Sequence, residues 1–219
     1  MKLGFLTSCM PERSLEEIAA WAAGNGYEAL ELAAWPHLGD RPFTASHVKA
    51  DAFDDAEAER VRRALDEHGL VLSALAYYDN NLAPEPAERA SYDTPLRPCI
   101  DAAAALGGVP VGTFIGRDPG RSVAENLREA ERVFPPLVEY ARERGVRLMI
   151  ENCVMEGWHP DGYPGNLAYS PELWEWMFSL GLDLNFDPSH LLWLGIDPIE
   201  ALRPYVDHVA HAHAKDAET

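Results

Sequence analysis

Apolar residues in this chain follow two rhythms. Short apolar runs near residues 3–8, 29–35, 71–78, 109–115, 147–152, 182–187 and 209–214 are too brief for helices and show little alternation. Runs of this kind suit parallel strands covered on both faces. Between them lie longer stretches at the helical period, such as the stripe of Leu15, Ile18, Ala19 and Ala22. The junctions repeat as well. "GNGYEALEL", "EHGLVLSAL", "LGGVPVGTF", "ERGVRLMIE" and "SLGLDLNFD" each place glycine between a helical stretch and an apolar run. Gly26, Gly69, Gly108, Gly145 and Gly181 suit the left-handed position that ends a helix. Ser14 with Glu17, and Ser122 with Glu125, read as capping boxes. Ser170-Pro171 reads as a cap followed by proline at the first helical position. Pro135-Pro136 interrupts a helical pattern and predicts a kink or a restart there.

Strands alternating with helices predict an α/β fold, either a (β/α) barrel or an open doubly wound sheet. Helix-to-strand turns are short, whereas several strand-to-helix segments are long, most clearly "WPHLGDRPFTASHVKADAFDD" and "CVMEGWHPDGYPGNLAY". Long loops at the carboxyl ends of strands are where a barrel enzyme builds its site. The 219 residues fit one domain, 1–219, with a single sizeable core. A complete eight-fold barrel takes about 250 residues, and this chain stops at "HAKDAET", just after the seventh strand. The expected fold is therefore a (β/α)8 TIM barrel whose eighth βα unit is missing from this chain. Without that unit, strands one and seven would each present an unpaired apolar edge.

Composition narrows the partners. With 18 basic and 36 acidic residues the net charge is −18, a field that repels a phosphate backbone. No apolar run reaches membrane-spanning length, and "MKLGFLTSCMPERS" lacks a signal-peptide pattern, so a cytoplasmic protein with no membrane partner is expected. Cys9, Cys99 and Cys153 are odd in number and not closely paired, which suits a reducing compartment better than a disulfide framework. Nothing in the sequence around Cys9 or Cys153 suggests an activated thiolate, and neither is assigned catalysis. No phosphate-binding loop motif occurs.

Chemistry concentrates at three strand ends. The fifth strand closes on Glu151 in "LMIENC", the sixth on Asp187 in "NFDPSH" with His190 beyond it, and the seventh reads "VAHAHAKD" with His211 and His213. Strand alternation puts Met149, Glu151 and Cys153 on one face, Asp183, Asn185 and Asp187 on one face, and Val209, His211, His213 and Lys215 on one face. If these faces point into the barrel, Glu151, Asp187 and His213 converge at one height. Two carboxylates and an imidazole form a mixed oxygen/nitrogen set suited to Mn²⁺, Mg²⁺, Co²⁺ or Zn²⁺. Each residue alone also has an ordinary structural reading: Asp187-Pro188 as a turn device, Glu151 as a paired rim carboxylate, the histidines as core-edge residues. Three adjacent strands carrying such groups at the same end weaken those readings together. Among aromatic residues near strand ends, Trp35 and Trp158 are the best candidates for the apolar face of a sugar, and Lys215 for a phosphate or carboxylate.

The set of "IEN", "DPSH" and "HAHAKD" resembles the sugar phosphate isomerase/epimerase family of the xylose isomerase-like barrel superfamily. That superfamily includes ketose 3-epimerases, inosose dehydratases and endonuclease IV-type repair enzymes. The resemblance implies that Glu151, Asp187 and His213 are metal ligands and that His190 lies beside the ion, contacting metal or substrate. It implies a fourth ligand, a glutamate on an eighth strand beyond this sequence, which shares acid/base work with the strand 5 glutamate. The expected reaction is removal of a proton next to a carbonyl of a sugar, giving a metal-stabilised enediolate and then epimerisation or isomerisation. Dehydration or keto-glycoside elimination uses the same ligands, and a non-catalytic subunit of a hetero-oligomer is a further alternative. The arginine that ketose 3-epimerases carry after the strand 7 histidine is replaced by "AKDAET", which argues against tagatose- or psicose-like specificity. Repair endonucleases use extra histidines on strands three and four. Here "LSALAYYDN" and "VGTFIGRD" have none, so nucleic acid is not the expected substrate. A small sugar-derived substrate is, with self-association into a homo-oligomer left open.

Overall fold

The computed structural model describes residues 1–35, 45–84, 86–215 and 217–218, with the backbone alone over 86–95. In chain order the elements are β1 (Gly4–Leu6), α1 (Leu15–Gly24), β2 (Ala29–Ala33), α2 (Asp55–Asp66), β3 (Val71–Ala76), α3 (Pro86–Ala105) and β4 (Val111–Thr113). They continue as α4 (Val123–Arg142), β5 (Leu148–Glu151), α5 (Pro171–Ser179), β6 (Asp183–Phe186), α6 (Ser189–Trp193), α7 (Pro198–Leu202) and β7 (Val209–Ala212). Strand order follows the sequence from β1 to β7. Every apolar run singled out in the sequence carries a strand; β2, β4 and β5 are buried along their length, whereas β1 and β7, at the two ends of the order, are not. Of the two long loops, the one after β2 includes residues 36–44, outside the described residues. Among the described residues no helix is long and apolar enough to cross a membrane.

Local signals in the sequence account for most boundaries. Gly26, Gly69, Gly108, Gly145 and Gly181 all have positive φ, between 65° and 83°. Both capping boxes form, Ser14 with Glu17 and Ser122 with Glu125. Ser170 stands at the N-cap of α5 with proline behind it, but its side chain makes no capping hydrogen bond. The expected restart at Pro135-Pro136 does not occur, since α4 runs unbroken through both. Phe134, Leu137 and Ala141 on the same helix are buried, and anchoring on both sides of the prolines outweighs two missing backbone donors.

The chain divides into two compact units, each built from discontinuous segments. The first comprises Met1–Tyr77, Thr94–Val111 and Arg144–Val146. Here β1, β2 and β3 pair in parallel, and β2 is buried along its length. Ile18, Leu30, Leu32, Val61, Leu75 and Ile100 make its core. The Thr7 hydroxyl oxygen accepts the Ala33 amide at 2.9 Å and lies 2.9 Å from His47 Nδ1.

The second unit comprises Tyr78–Asp93, Gly112–Glu143 and Arg147–Thr219. Here β5, β6 and β7 pair in parallel. Glu151 stands opposite Asn185, and Asn185 opposite His211, with a register irregularity between Leu184 and Asn185. Phe134, Leu137, Ile150, Trp174, Met177, Leu184 and Leu191 fill the core behind these strands. The polar candidates all emerge at their carboxyl ends.

Candidate metal centre

Glu151, Asp187 and His213 come together in the second unit, with one ligand-type atom from each lying within 4.8 Å of the others. They do so without sharing one height. The residues level with Glu151 are Asn185 and His211, while Asp187 and His213 stand a step further along their strands and reach back. Strand tilt in barrel-type sheets produces such staggers. Glu151 is 5% exposed and Asp187 fully buried.

The motif Asp187-Pro188-Ser189-His190 shows how local chemistry aims a side chain. Asp187 Oδ1 accepts from the Ser189 amide at 3.0 Å and from the Ser189 hydroxyl at 2.6 Å. Pro188 sits at the N-cap of α6, so the chain turns into a helix at once. His190, in the first turn, swings back until Nε2 lies 3.4 Å from Asp187 Oδ2 and 3.8 Å from Glu151 Oε1. Asn152 holds the peptide of Asp187 from both sides: its oxygen accepts the Asp187 amide at 2.7 Å and its amide donates to the Asp187 carbonyl at 2.8 Å. Asn166 donates to the carbonyls of Glu151 and Cys153, at 3.0 and 2.9 Å.

The charges interlock. Glu151 Oε1 lies 3.3 Å from His213 Nδ1 and 3.6 Å from Lys215 Nζ. Burial alone would raise the Glu151 carboxyl, yet His190, His213 and Lys215 outweigh it and hold the group well below the usual carboxylate range. Lys215 Nζ also pairs with Asp187 Oδ2 at 2.5 Å. Burial pulls the Lys215 ammonium down, but Asp187 and Glu151 push it above its ordinary value. Burial, with the charge of Glu151, pushes the Cys153 thiol up to about 12.

A resident cation fits the side chains present. His190 Nδ1 is buried without a hydrogen-bond partner, and its Nε2 faces the carboxylates of Asp187 and Glu151; buried polar atoms are costly unless something satisfies them. Donors are two carboxylates and imidazole, the set that suits a divalent ion.

Other sequence candidates fall in various places. Trp158 lies in the short helical turn Glu156–Trp158 of the β5 loop, its ring edge-on to Phe114 at 5.4 Å. The turn starts from Met155, a non-glycine residue at positive φ (47°). A side chain on Gly165 would strike the Met155 carbonyl and Trp158, so glycine there lets the loop fold against itself. Trp35 belongs to the first unit, 4% exposed, its ring 6.4 Å from that of Tyr77. Sequence reasoning missed Asn152, Asn166, Asn185 and Ser189. Asn185 Nδ2 donates to the Tyr78 hydroxyl at 2.6 Å and lies 3.2 Å from His213 Nε2, while its Oδ1 lies 3.2 Å from His211 Nδ1. For the three asparagines the signal was a polar amide inside or near apolar stretches, fully buried here.

Strands in sequence order, with carboxylates and imidazoles gathered at their carboxyl ends, define a barrel-type α/β protein whose polar centre sits at strand tips. More narrowly, residues 19–219 match the family described as xylose isomerase-like TIM barrel, and the chain belongs to it. It is 28% identical over 247 residues to uncharacterized protein YfiH of Bacillus subtilis (strain 168), an alignment spanning 99% of this chain and 73% of that protein. The fold is similar to the probable 3-DHS dehydratase AsbF of Bacillus anthracis, with a TM-score of 0.73, 16% identity, and 97% of this chain and 72% of that chain covered. It is equally similar to the 3-keto-D-glucoside 4-epimerase YcjR of E. coli, with a TM-score of 0.73, 16% identity, and 97% and 78% covered.

Proposed function

We propose that this protein is a divalent-metal-dependent enzyme that removes the proton next to a carbonyl of a sugar-derived substrate and returns it to give an epimer or isomer. The observation that carries this reading is the convergence of Glu151, Asp187 and His213 within 4.8 Å in a buried setting. A divalent cation held by these residues supplies Lewis acidity, drawing electron density from the carbonyl so that the adjacent C–H becomes acidic. Glu151 takes the proton. Its neighbours His190, His213 and Lys215 favour its ionised, proton-accepting form. His190 Nε2, poised between the two carboxylates, orients a substrate oxygen. Lys215, half-exposed, meets an anionic or hydroxyl substituent, and Trp158 offers an aromatic face; Trp35 remains a candidate for the same task.

A second reading, loss of a β-leaving group after the same proton abstraction, is favoured by the likeness to the dehydratase AsbF. One experiment separates them. The chain loaded with Mn²⁺, Co²⁺, Zn²⁺ or Mg²⁺ is incubated in deuterated water with ketoses, keto-glycosides and inososes. Deuterium entering the carbon next to the carbonyl with the skeleton intact supports epimerisation or isomerisation. An unsaturated carbonyl product supports elimination. Bound metal without exchange into any substrate contradicts both and leaves a non-catalytic subunit.

A further inference from the structure

Beside the expected ligands stands one donor that the reading above does not use, Cys153, and it would draw His190 from the substrate to the ion. Cys153 Sγ lies with a Glu151 carboxylate oxygen and a His190 ring nitrogen so that the three atoms are all within 4.8 Å of one another. Donors sharing one first-row cation at about 2.0–2.3 Å are spaced within this range. The placement is built into the backbone: Cys153 follows Glu151 by one strand period, and Asn166 clamps the carbonyls of both residues, at 2.9 and 3.0 Å. His190 is the independent pointer. It is 5% exposed, its Nδ1 has no hydrogen-bond partner among the described residues, and its Nε2 faces two carboxylates.

We propose that Cys153 is an inner-sphere ligand, completing with Glu151 and His190 a sulfur-containing site that selects Zn²⁺ or Co²⁺ over Mg²⁺. The inference rests on reading the Glu151 centre as a metal site and adds what kind of ion it takes. Thiolate is a soft donor that favours zinc and cobalt, whereas carboxylate and water alone suit magnesium.

Cobalt makes the test direct, because Co²⁺ shows visible ligand-field bands whatever its ligands and a near-ultraviolet charge-transfer band only when sulfur is bound. The full chain titrated with Co²⁺ is expected to show both. Cys153→Ser is expected to keep the visible bands and lose the near-ultraviolet one, while Cys9→Ser, an exposed cysteine, keeps both. Zinc affinity is expected to fall by at least ~10-fold in Cys153→Ser, the scale on which even outer-sphere partners matter, with Mg²⁺ affinity unchanged. Visible bands without the near-ultraviolet band in the unaltered chain would overturn the sulfur ligand and leave the Glu151, Asp187 and His213 centre standing. No cobalt bound would overturn that centre too.

Discussion

Asp187 illustrates how much of a site is made by residues that do no chemistry. Its carboxylate is oriented by Ser189 and its peptide by Asn152, so the oxygen facing Glu151's side of the centre is fixed before any ligand arrives. Asp187→Asn and Glu151→Gln change charge but hardly shape. Each is expected to lower metal affinity more than ~100-fold, beyond what loss of an outer partner costs, with circular dichroism unchanged. Either variant retaining full metal content would refute the ligand assignment. Asn152→Ala removes no ligand, but it strips a buried amide and carbonyl of their partners. It is expected to cost about 2–4 kcal/mol in chemical denaturation and about 10–100-fold in metal affinity. A structural role alone would move only the first.

At the scale of elements, the strand–helix alternation rests on glycines whose conformation other residues adopt poorly. Gly69 has φ of 65° with open space around it, so alanine would meet strain without a clash. Gly69→Ala is expected to cost about 1–2 kcal/mol, measured by denaturant titration. The prolines in α4 make the opposite case. Pro135 and Pro136 are exposed, so replacing both by alanine restores two helical hydrogen bonds without opening the core. The double variant is expected to be more stable by about 1–3 kcal/mol, since each interior proline carries a cost of that order. A fall in stability would mean that the prolines shape α4 in a way its neighbours require.

Over the whole molecule, charge and ligand set stability. In the first unit Arg60 grips the Glu57 carboxylate at 2.7 and 2.8 Å, and this contact holds Glu57 below its usual range despite burial. A depressed folded-state value means the contribution is present above the unfolded value of about 4.3 and is lost as pH falls below it. Glu57→Gln is therefore expected to destabilise by about 1–2 kcal/mol at neutral pH, with the gap from the unaltered chain narrowing as pH falls below about 4.3. Metal acts by mass action. A bound ion at 100-fold excess over its Kd adds about 2.7 kcal/mol, or roughly 5–11 °C in Tm for a chain of this size. Thermal scans with Zn²⁺ or Mn²⁺ and then with a chelator check this, and no shift would contradict the proposed centre.

The strands, the helix-ending glycines, the capping boxes and the acidic and imidazole residues at strand ends were all legible in the chain, because each follows from local periodicity, backbone freedom or residue type. Periodicity also said which residues share a face. It could not say how neighbouring strands slide, and so Glu151 faces Asn185 rather than Asp187. Nor could it show that α4 passes its prolines, that Asn152 and Asn166 lock the peptides of Asp187 and Glu151, or that His190 swings in beside Glu151. Those depend on pairing between segments far apart in the chain, and only the packed structure decides them, because register and long-range hydrogen bonds are set by the core as a whole.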